Sequence, residues 1–246
     1  MITALLADVH SNLEALQACL AHAAANRAGR YAFLGDLIGY GGDPAAVVDI
    51  VADFASRGAV VVKGNHEQAL ENRARDLNDV AHESILWTDR ALSDAQKRFL
   101  RGLPLIARDG QICFVHASAL NPDRWESIDN NTAARLSIEA ADTTYVFSGH
   151  MHDQMLWFLT QVGKIAPFRP ISGSPVPLPS HRRWLAVAGS VGQPRDGNPA
   201  AAYALFDDAT EELTFFRLPY DDQAAARKVR ERGLPEWLGQ RIETGM

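Results

Sequence analysis

The sequence predicts an α/β fold, α+β in its later part, in which two packed sheets lie between helices. Apolar runs alternate with helical segments over about the first 65 residues, as in parallel strands joined by right-handed crossovers. The next segment has helical periodicity, and later apolar runs separated by turns indicate antiparallel strands. No linker or repeat divides the 246 residues, so we expect a single domain over 1–246.

Composition and charge exclude several classes of function. At 47% hydrophobic and 22% charged residues the chain is ordinary for a globular protein. Its net charge of −6 argues against a broad surface for nucleic acid or anionic membranes. The N-terminus has no basic signal-peptide region, and no apolar run approaches the ~20 residues of a membrane span. Cys19 and Cys113 lie in apolar patterns, as in reduced proteins, so we expect a cytoplasmic location.

The first part of the chain contains three predicted strands and two predicted helices. The strands are Ile2–Ala7, Tyr31–Leu34 and Ala59–Val62. The first helix begins at Leu13, where apolar residues recur at helical spacing, and Ser11 or Asn12 is placed to cap it. A Gly-rich loop follows Asp36 and leads into a second helix, roughly Ala45–Ser56.

The middle of the chain is predicted to be helical and then mixed. Residues 66–101 have no strand pattern, and Ser93 is placed to cap the last helix there. Asp109-Gly110 is a hairpin signal between the apolar runs Leu103–Ala107 and Gln111–Val115. A helix over Asn131–Ala141 and a strand over Thr144–Phe147 follow.

The end of the chain is predicted to form a second, mostly antiparallel sheet and a helical tail. Gln154–Val162 is strand-like, and the Pro-, Gly- and Ser-rich stretch Gly163–Arg182 predicts a surface loop or ragged hairpin. The strands expected in the second sheet are Trp184–Ala188, Ala201–Phe206 and Leu213–Leu218. The tail, about 220–246, has helical patterns over Asp222–Arg232 and Pro235–Arg241.

Polar side chains follow five of the apolar runs at the point where each run ends. They are Asp8 and His10, then Asp36, then Asn65 and His66, then His116, then His150 and His152. A single Asp-x-His is a weak sign, because a lone histidine after a strand is more often a cap or a satisfied polar group. Five such endings, all expected on the same edge of one sheet, predict a site there.

The types of these residues favour a metal centre. Carboxylates, imidazoles and one amide, without a thiolate, suit Mn, Fe, Zn or Ni rather than a structural zinc–cysteine site. They are too many for one ion but suit two if one carboxylate bridges. Two ions about 3.5–4 Å apart form the clamp that phosphoryl displacement uses.

The chain resembles the calcineurin-like metallophosphoesterases, in particular their small bacterial and archaeal branch. The resemblance rests on five blocks, which lie in the same order here: Asp8-x-His10, Gly35-Asp36, Gly64-Asn65-His66-Glu67, His116 and Gly149-His150-x-His152. It implies a four-layer αββα sandwich, with two mixed sheets flanked by helices. It also implies a phosphoesterase that hydrolyses phosphate mono- or diesters of small molecules by attack of a metal-activated hydroxide.

The resemblance also implies a role for each matching residue. Asp8, His10, Asp36 and His152 would hold a first divalent metal, and Asp36 (bridging), Asn65, His116 and His150 a second. Manganese is the metal expected to support activity best. His66 would act on the phosphoryl group as an acid or electrostatic stabiliser, oriented by Glu67. Relatives often have Asp in place of Glu67, so the reach of this carboxylate differs here.

Substrate contacts and two other functions stay open at this stage. Arg195, in a Gly/Pro-rich loop, either pairs with a phosphate or is a solvated arginine. Asn12 either contacts the phosphoryl group or caps the first helix. A scaffold that uses the same fold for binding is disfavoured because every ligand position is filled. A nuclease is disfavoured by the acidic balance and the lack of basic–aromatic clusters.

Overall fold

The computed structural model describes residues 1–72 and 78–246. The strands, in chain order, are β1 (Ile2–Leu6), β2 (Arg30–Phe33), β3 (Val60–Val61), β4 (Ile106–Asp109), β5 (Ile112–Val115), β6 (Tyr145–Ser148), β7 (Gln154–Leu159), β8 (Ile165–Phe168), β9 (Pro175–Pro177), β10 (Arg183–Ala188), β11 (Ala201–Asp207) and β12 (Glu212–Leu218). The α-helices are α1 (Leu13–Ala25), α2 (Pro44–Ser56), α3 (Asn65–Asn72), α4 (Asp79–Ala91), α5 (Asp94–Arg101), α6 (Asn131–Ala141), α7 (Asp222–Glu231) and α8 (Glu236–Thr244).

The first six-stranded sheet has the order β3-β2-β1-β11-β12-β9. Strands β1, β2 and β3 are parallel, and the others pair antiparallel. Side chains of β1 alternate between two cores: Ala4 and Leu6 pack with α1 and α2, whereas Leu5 packs against the second sheet. An apolar run without polar alternation is therefore a strand buried on both faces.

The second six-stranded sheet has the order β4-β5-β6-β10-β7-β8 and packs on the first. Aromatic side chains such as Phe147 and Phe206 fill the space between the sheets, with ring centroids 5.1 Å apart. Helix α6 covers the outer face of the second sheet through Ala134 and Ile138. The result is the predicted four-layer arrangement, with two mixed sheets flanked by helices.

Two sheet assignments from the sequence are wrong. Trp184–Ala188 does not share a sheet with Ala201–Phe206 and Leu213–Leu218: β10 lies beside β6 in the second sheet, while β11 and β12 extend the first from β1. The five ligand-bearing ends likewise come from two sheets, because β1–β3 and β5–β6 are separated. Strands such as β5, β6 and β11 are buried along almost their whole length, so periodicity gives no information about their neighbours.

Smaller differences concern turns and edges. The stretch Gly163–Arg182 forms a hairpin from β7 to β8, and then crosses to add β9 at the edge of the first sheet. Prolines at both ends of β9 are tolerated because the strand is an edge strand. The hairpin turn lies at Gly110-Gln111, since Asp109 still pairs with Ile112.

The predicted helical stretch is present as α3, α4 and α5, although 73–77 of that prediction lie outside the described residues. Ser93 caps α5 in a capping box with Gln96. Both predicted tail helices are present as α7 and α8. Over the part of the chain that the structure describes, none of the helices has the length and apolar character needed to span a membrane.

Candidate metal centre

The loops that follow β1, β2, β3, β5 and β6 meet at one end of the sandwich. Loops after β1 and β2 run together, since the backbone N–H of Asp8 donates to the carbonyl of Gly35 (3.1 Å) and that of His10 to Asp36 (3.0 Å). The structure brings together all of the predicted ligands, Asp8, His10, Asp36, Asn65, His116, His150 and His152, together with His66.

The backbone around these side chains is strained. Seven non-glycine residues of these loops have positive φ: Asp8, His10, Ser11, Asp36, Tyr40, His150 and His152. Close approach also requires glycine, because a Cβ on Gly64 would lie 2.2 Å from Asp36 Oδ1 and one on Gly149 2.6 Å from Asp8 Oδ2. Such strain is typical of functional sites, where the surrounding fold holds residues in sparsely populated conformations.

Asp8, His10 and His152 form one group of potential ligands. The Nε2 atoms of His10 and His152 lie 3.2 Å apart. The Nε2 of His152 is 3.5 Å from Asp8 Oδ1, and the Nε2 of His10 is 3.9 Å from the same oxygen. Asp8, His10 and His152 are almost completely buried, at 0%, 1% and 2% exposure.

Asp36, Asn65, His116 and His150 form the second group. The Asn65 Oδ1 atom is 3.1 Å from both His116 Nε2 and His150 Nδ1, and these two nitrogens are 3.2 Å apart. Asp36 Oδ2 lies 3.4 Å from His116 Nε2 and 3.8 Å from His10 Nε2. The Asp36 carboxylate therefore lies between the two groups.

The donor set fits divalent metal ions. Adjacent ligands about 2.1 Å from one ion are roughly 3.0–3.4 Å apart, close to the separations in both groups. The Nδ1–H groups of His10 and His116 donate to the carbonyls of Ile38 (3.1 Å) and Leu34 (2.7 Å), and that of His152 to Gln193. Each of the three imidazoles therefore directs an Nε2 lone pair into the centre, as metal-binding histidines do.

Charges in the centre also favour cations. Within the described residues, the ion-pair partners of Asp8 and Asp36 are histidines. Burial raises the pKa of Asp8 to about 7, and it lowers the pKa of His10 and His152, which stay neutral. Burial opposes ionisation of His116, yet the Asp36 charge raises its pKa to about 9. The surroundings of His116 therefore favour positive charge, and a bound cation would displace the proton from its Nε2.

His66 lies beside both groups. Its backbone N–H donates to Asp36 Oδ1 at 2.9 Å, and its ring Nε2 is 3.8 Å from Asp36 Oδ2. The ring packs edge-on against His10 and is tilted steeply to Tyr40, with centroids 4.7 and 4.6 Å away. Its Nδ1 is buried and has no hydrogen-bond partner within the described residues. His10, Asp36 and His66 also satisfy the spacing of a metal-binding group.

Glu67 organises backbone rather than the His66 ring, which corrects the sequence-based expectation. Its Oε2 accepts the backbone N–H groups of Asp36 (2.9 Å) and Gly64 (2.8 Å). Its Oε1 accepts those of Leu37 (2.9 Å) and Ile38 (3.3 Å). The carboxylate thus fixes the loop that presents Asp36, and a glutamate reaches these donors from the first turn of α3.

Asn12 is a helix cap, which is one of the two roles that the sequence left open for it. Its Oδ1 accepts the backbone N–H of Ala15 at 3.1 Å at the start of α1. Its Nδ2 donates to the Gly192 carbonyl (2.9 Å) and to the Tyr220 hydroxyl (3.1 Å). The side chain is 2% exposed and its donors are used, so it connects α1 to the loop before β11 and to the tail.

Arg195 is exposed and lies near the centre. Its Nη2 donates to Gln193 Oε1 at 3.0 Å, and its Cζ lies 6.0 Å from the Tyr40 ring. Its positive charge is among the causes that lower the pKa of Asp8 and His150. Sequence reasoning missed the role of Gln193, whose carbonyl orients His152. A backbone contact of this kind leaves no signal in residue type.

Comparisons with known proteins agree with this geometry. The Calcineurin-like phosphoesterase superfamily domain matches residues 1–211. The Methanocaldococcus jannaschii protein MJ0912 is 32% identical over 254 residues, covering 98% of this chain and 97% of that protein.

Two solved structures extend the comparison. A metallophosphoesterase from Sphaerobacter thermophilus has 35% identity and a TM-score of 0.88, with 100% of each chain covered. The protein PH1004 from Pyrococcus horikoshii has a TM-score of 0.79 at 18% identity, over 100% of this chain and 98% of that one, and so is similar in fold.

Proposed function

The chain belongs to the calcineurin-like phosphoesterase superfamily, and from that premise we propose that it is a dinuclear-metal-dependent hydrolase of phosphate mono- or diesters. The observation that supports this most strongly is the convergence of seven N/O side chains into two groups with an aspartate between them. A protein that merely bound a partner through this face would have no need of so much buried, strained and charged structure.

We assign Asp8, His10, Asp36 and His152 to a first ion and Asp36, Asn65, His116 and His150 to a second. Bound there, two cations would activate water near neutral pH and neutralise charge on the phosphoryl oxygens. Mn, Fe, Zn or Ni suits these ligands, and manganese is our choice for activity. The carbonyls of Ile38, Leu34 and Gln193 keep the imidazoles oriented for ligation.

His66 is proposed to act on the phosphoryl group. Burial lowers its pKa, and it lies next to the Asp36 carboxylate, from which it can reach a substrate held at the centre. As a hydrogen-bond donor it would stabilise developing charge, and in its protonated form it would give a proton to the leaving oxygen. Glu67 positions the Asp36 loop, and Arg195 is proposed to bind the phosphate through its fork of N–H donors.

Three further proposals concern the cellular location, the class of substrate and the domain organisation. Buried, free Cys19 and Cys113 support a cytoplasmic location. The net charge of −6 favours a small phosphorylated substrate over nucleic acid. We treat 1–246 as one domain whose tail, about 220–246, packs beside the site through Tyr40.

The test is hydrolysis by metal-loaded protein. Protein stripped with a chelator and reloaded with Mn²⁺ is expected to hydrolyse 4-nitrophenyl phosphate or bis(4-nitrophenyl) phosphate, and stripped protein is not. Metal-replete protein inert toward both esters would contradict the proposal, and a binding function would then account for the same site.

A further inference from the structure

A wall of three side chains stands beside the metal centre: Tyr40, Arg195 and Arg241. Tyr40 packs against the rings of His10 and His66 at 4.6 Å on one side and against α7 and α8 on the other. Arg195 lies 6.0 Å from the Tyr40 ring, and Arg241 comes from α8. The C-terminal tail therefore contributes to the surroundings of the site.

The Arg241 side chain is fixed by stacking on an aromatic ring, and within the described residues it has no ion-pair partner. Its guanidinium stacks on Trp237, one helical turn earlier, with Cζ 3.7 Å from the ring centroid. Its Nε is buried without a hydrogen-bond partner, and no carboxylate pairs with it within the described residues. The tail does have acidic groups, but Arg230 takes both Glu236 (2.8 Å) and Glu243 (2.7 Å).

Arg195 and Arg241 repel each other. After burial, which is the larger cause, the charge of Arg195 lowers the pKa of Arg241 to about 10. Burial raises the pKa of Tyr40, and the charges of Arg195 and Arg241 oppose that rise. Tyr40 belongs to the same apolar cluster as Ile242, which follows Arg241 in α8. Within the described residues neither guanidinium forms an ion pair with a carboxylate, so both can pair with the oxygens of an anion.

A buried amide adds an independent sign of a ligand. Gln193 is 0% exposed, and its Nε2 has no hydrogen-bond partner among the described residues. Its Oε1 is already bonded to Arg195, so the unused donor is adjacent to the same guanidinium. A polar hydrogen left unpaired in the interior costs free energy, which an acceptor oxygen from a ligand would recover.

We propose that Arg195, Arg241 and the Tyr40 hydroxyl form a subsite for a second phosphate, adjacent to the one at the metal centre. The proposal rests on the proposed function and narrows its substrate class to small molecules with two neighbouring phosphates, such as a nucleoside diphosphate. Guanidinium groups suit this role because their planar forks match phosphate oxygens. Arg195 serves both phosphates, and Arg241 contacts the outer one.

The test compares ADP with AMP, which differ by one phosphate. Calorimetric titration of the Mn²⁺-loaded protein is expected to give at least about tenfold tighter binding of ADP, the value of one charge-assisted contact. R241Q should reduce that preference about tenfold, and R241K should restore part of it. R227Q removes the same charge from an exposed arginine of α7 and should leave the preference unchanged.

Each outcome separates the two proposals. Equal binding of ADP and AMP by the wild type, or the wild-type preference in folded R241Q, overturns the subsite even if 4-nitrophenyl phosphate is hydrolysed. An ADP preference that depends on Arg241, in a protein that hydrolyses no ester, supports the subsite and overturns the proposed reaction. R195Q provides a second variant if R241Q does not fold, and it should reduce the same preference.

Discussion

The buried metal centre and the arginine wall beside it are built in opposite ways. His10 and His152 of the centre are 1% and 2% exposed, and both are fixed by hydrogen bonds to backbone carbonyls. Arg195 is exposed, and within the described residues its hydrogen bond is to Gln193. Arg241 is held by stacking on a helix of the tail.

This difference indicates which part carries out the reaction and which part selects the substrate. A centre fixed by the ends of five strands cannot adapt without disturbing two sheets, so it suits a reaction that is the same for many esters. A wall made of long side chains from a loop and a tail can change without disturbing the fold. We therefore assign the reaction to the centre and the choice of substrate to the wall.

The largest effect is expected from D36N. Because the Asp36 carboxylate lies between both ligand groups, its loss should remove bound metal and lower kcat/KM by more than about 10³-fold. Metal content after dialysis against Mn²⁺ and hydrolysis rates measure this together. D123N, at an exposed aspartate, is the matched control and should leave both unchanged. A D36N protein with full metal content would contradict the bridging role.

H66Q should separate metal binding from turnover. We expect it to keep both ions and to lose about 10²–10⁴-fold in kcat, the range for general acid–base catalysis. Elemental analysis with steady-state kinetics measures both. A loss of metal equal to that of D36N would instead make His66 a ligand, in line with its spacing to His10 and Asp36.

E67Q tests whether the metal centre depends on the backbone hydrogen bonds that Glu67 accepts. Glutamine has a single acceptor oxygen, so N–H groups of the Asp36 loop would be left unpaired, at about 1–3 kcal/mol for each. Denaturant unfolding should show a loss of about 2–3 kcal/mol, with activity down about 10–100-fold. Stability equal to the wild type would show that the four hydrogen bonds do not hold the loop.

N12A should give the smallest effect on activity. Loss of the cap is expected to cost about 1 kcal/mol of stability while kcat/KM for 4-nitrophenyl phosphate changes by less than about threefold. S93A removes the cap of α5, far from the site, and is the matched control. If N12A loses far more activity than S93A at equal stability, Asn12 has a role at the substrate.

The structural features that the sequence predicted best are those determined by one short segment of the chain. Helix α6 has the ends that the sequence predicted, Asn131 and Ala141, and in the structure Asn130 caps it by accepting the N–H groups of Thr132 and Ala133. Each proposed ligand lies shortly after an apolar run, and the structure brings these side chains together. These features depend on neighbours in sequence, which patterns can describe.

Features that join distant segments were beyond the sequence. Nothing in the run Trp184–Ala188 indicates that it lies beside β6 while Ala201–Phe206 pairs with β1. The family resemblance implied that Glu67 orients His66, yet its partners are the backbone N–H of Gly64 and three backbone N–H groups about 30 residues earlier. Arg241 lies in an unremarkable amphipathic tail and gains meaning only from the folded position of α8.

Anomalous diffraction from crystals grown with Mn²⁺ tests the central claim most directly. We expect two anomalous-difference peaks per chain. One should lie among Asp8, His10, His152 and Asp36, and the other among Asp36, Asn65, His116 and His150. A single peak, or peaks away from these side chains, would contradict it.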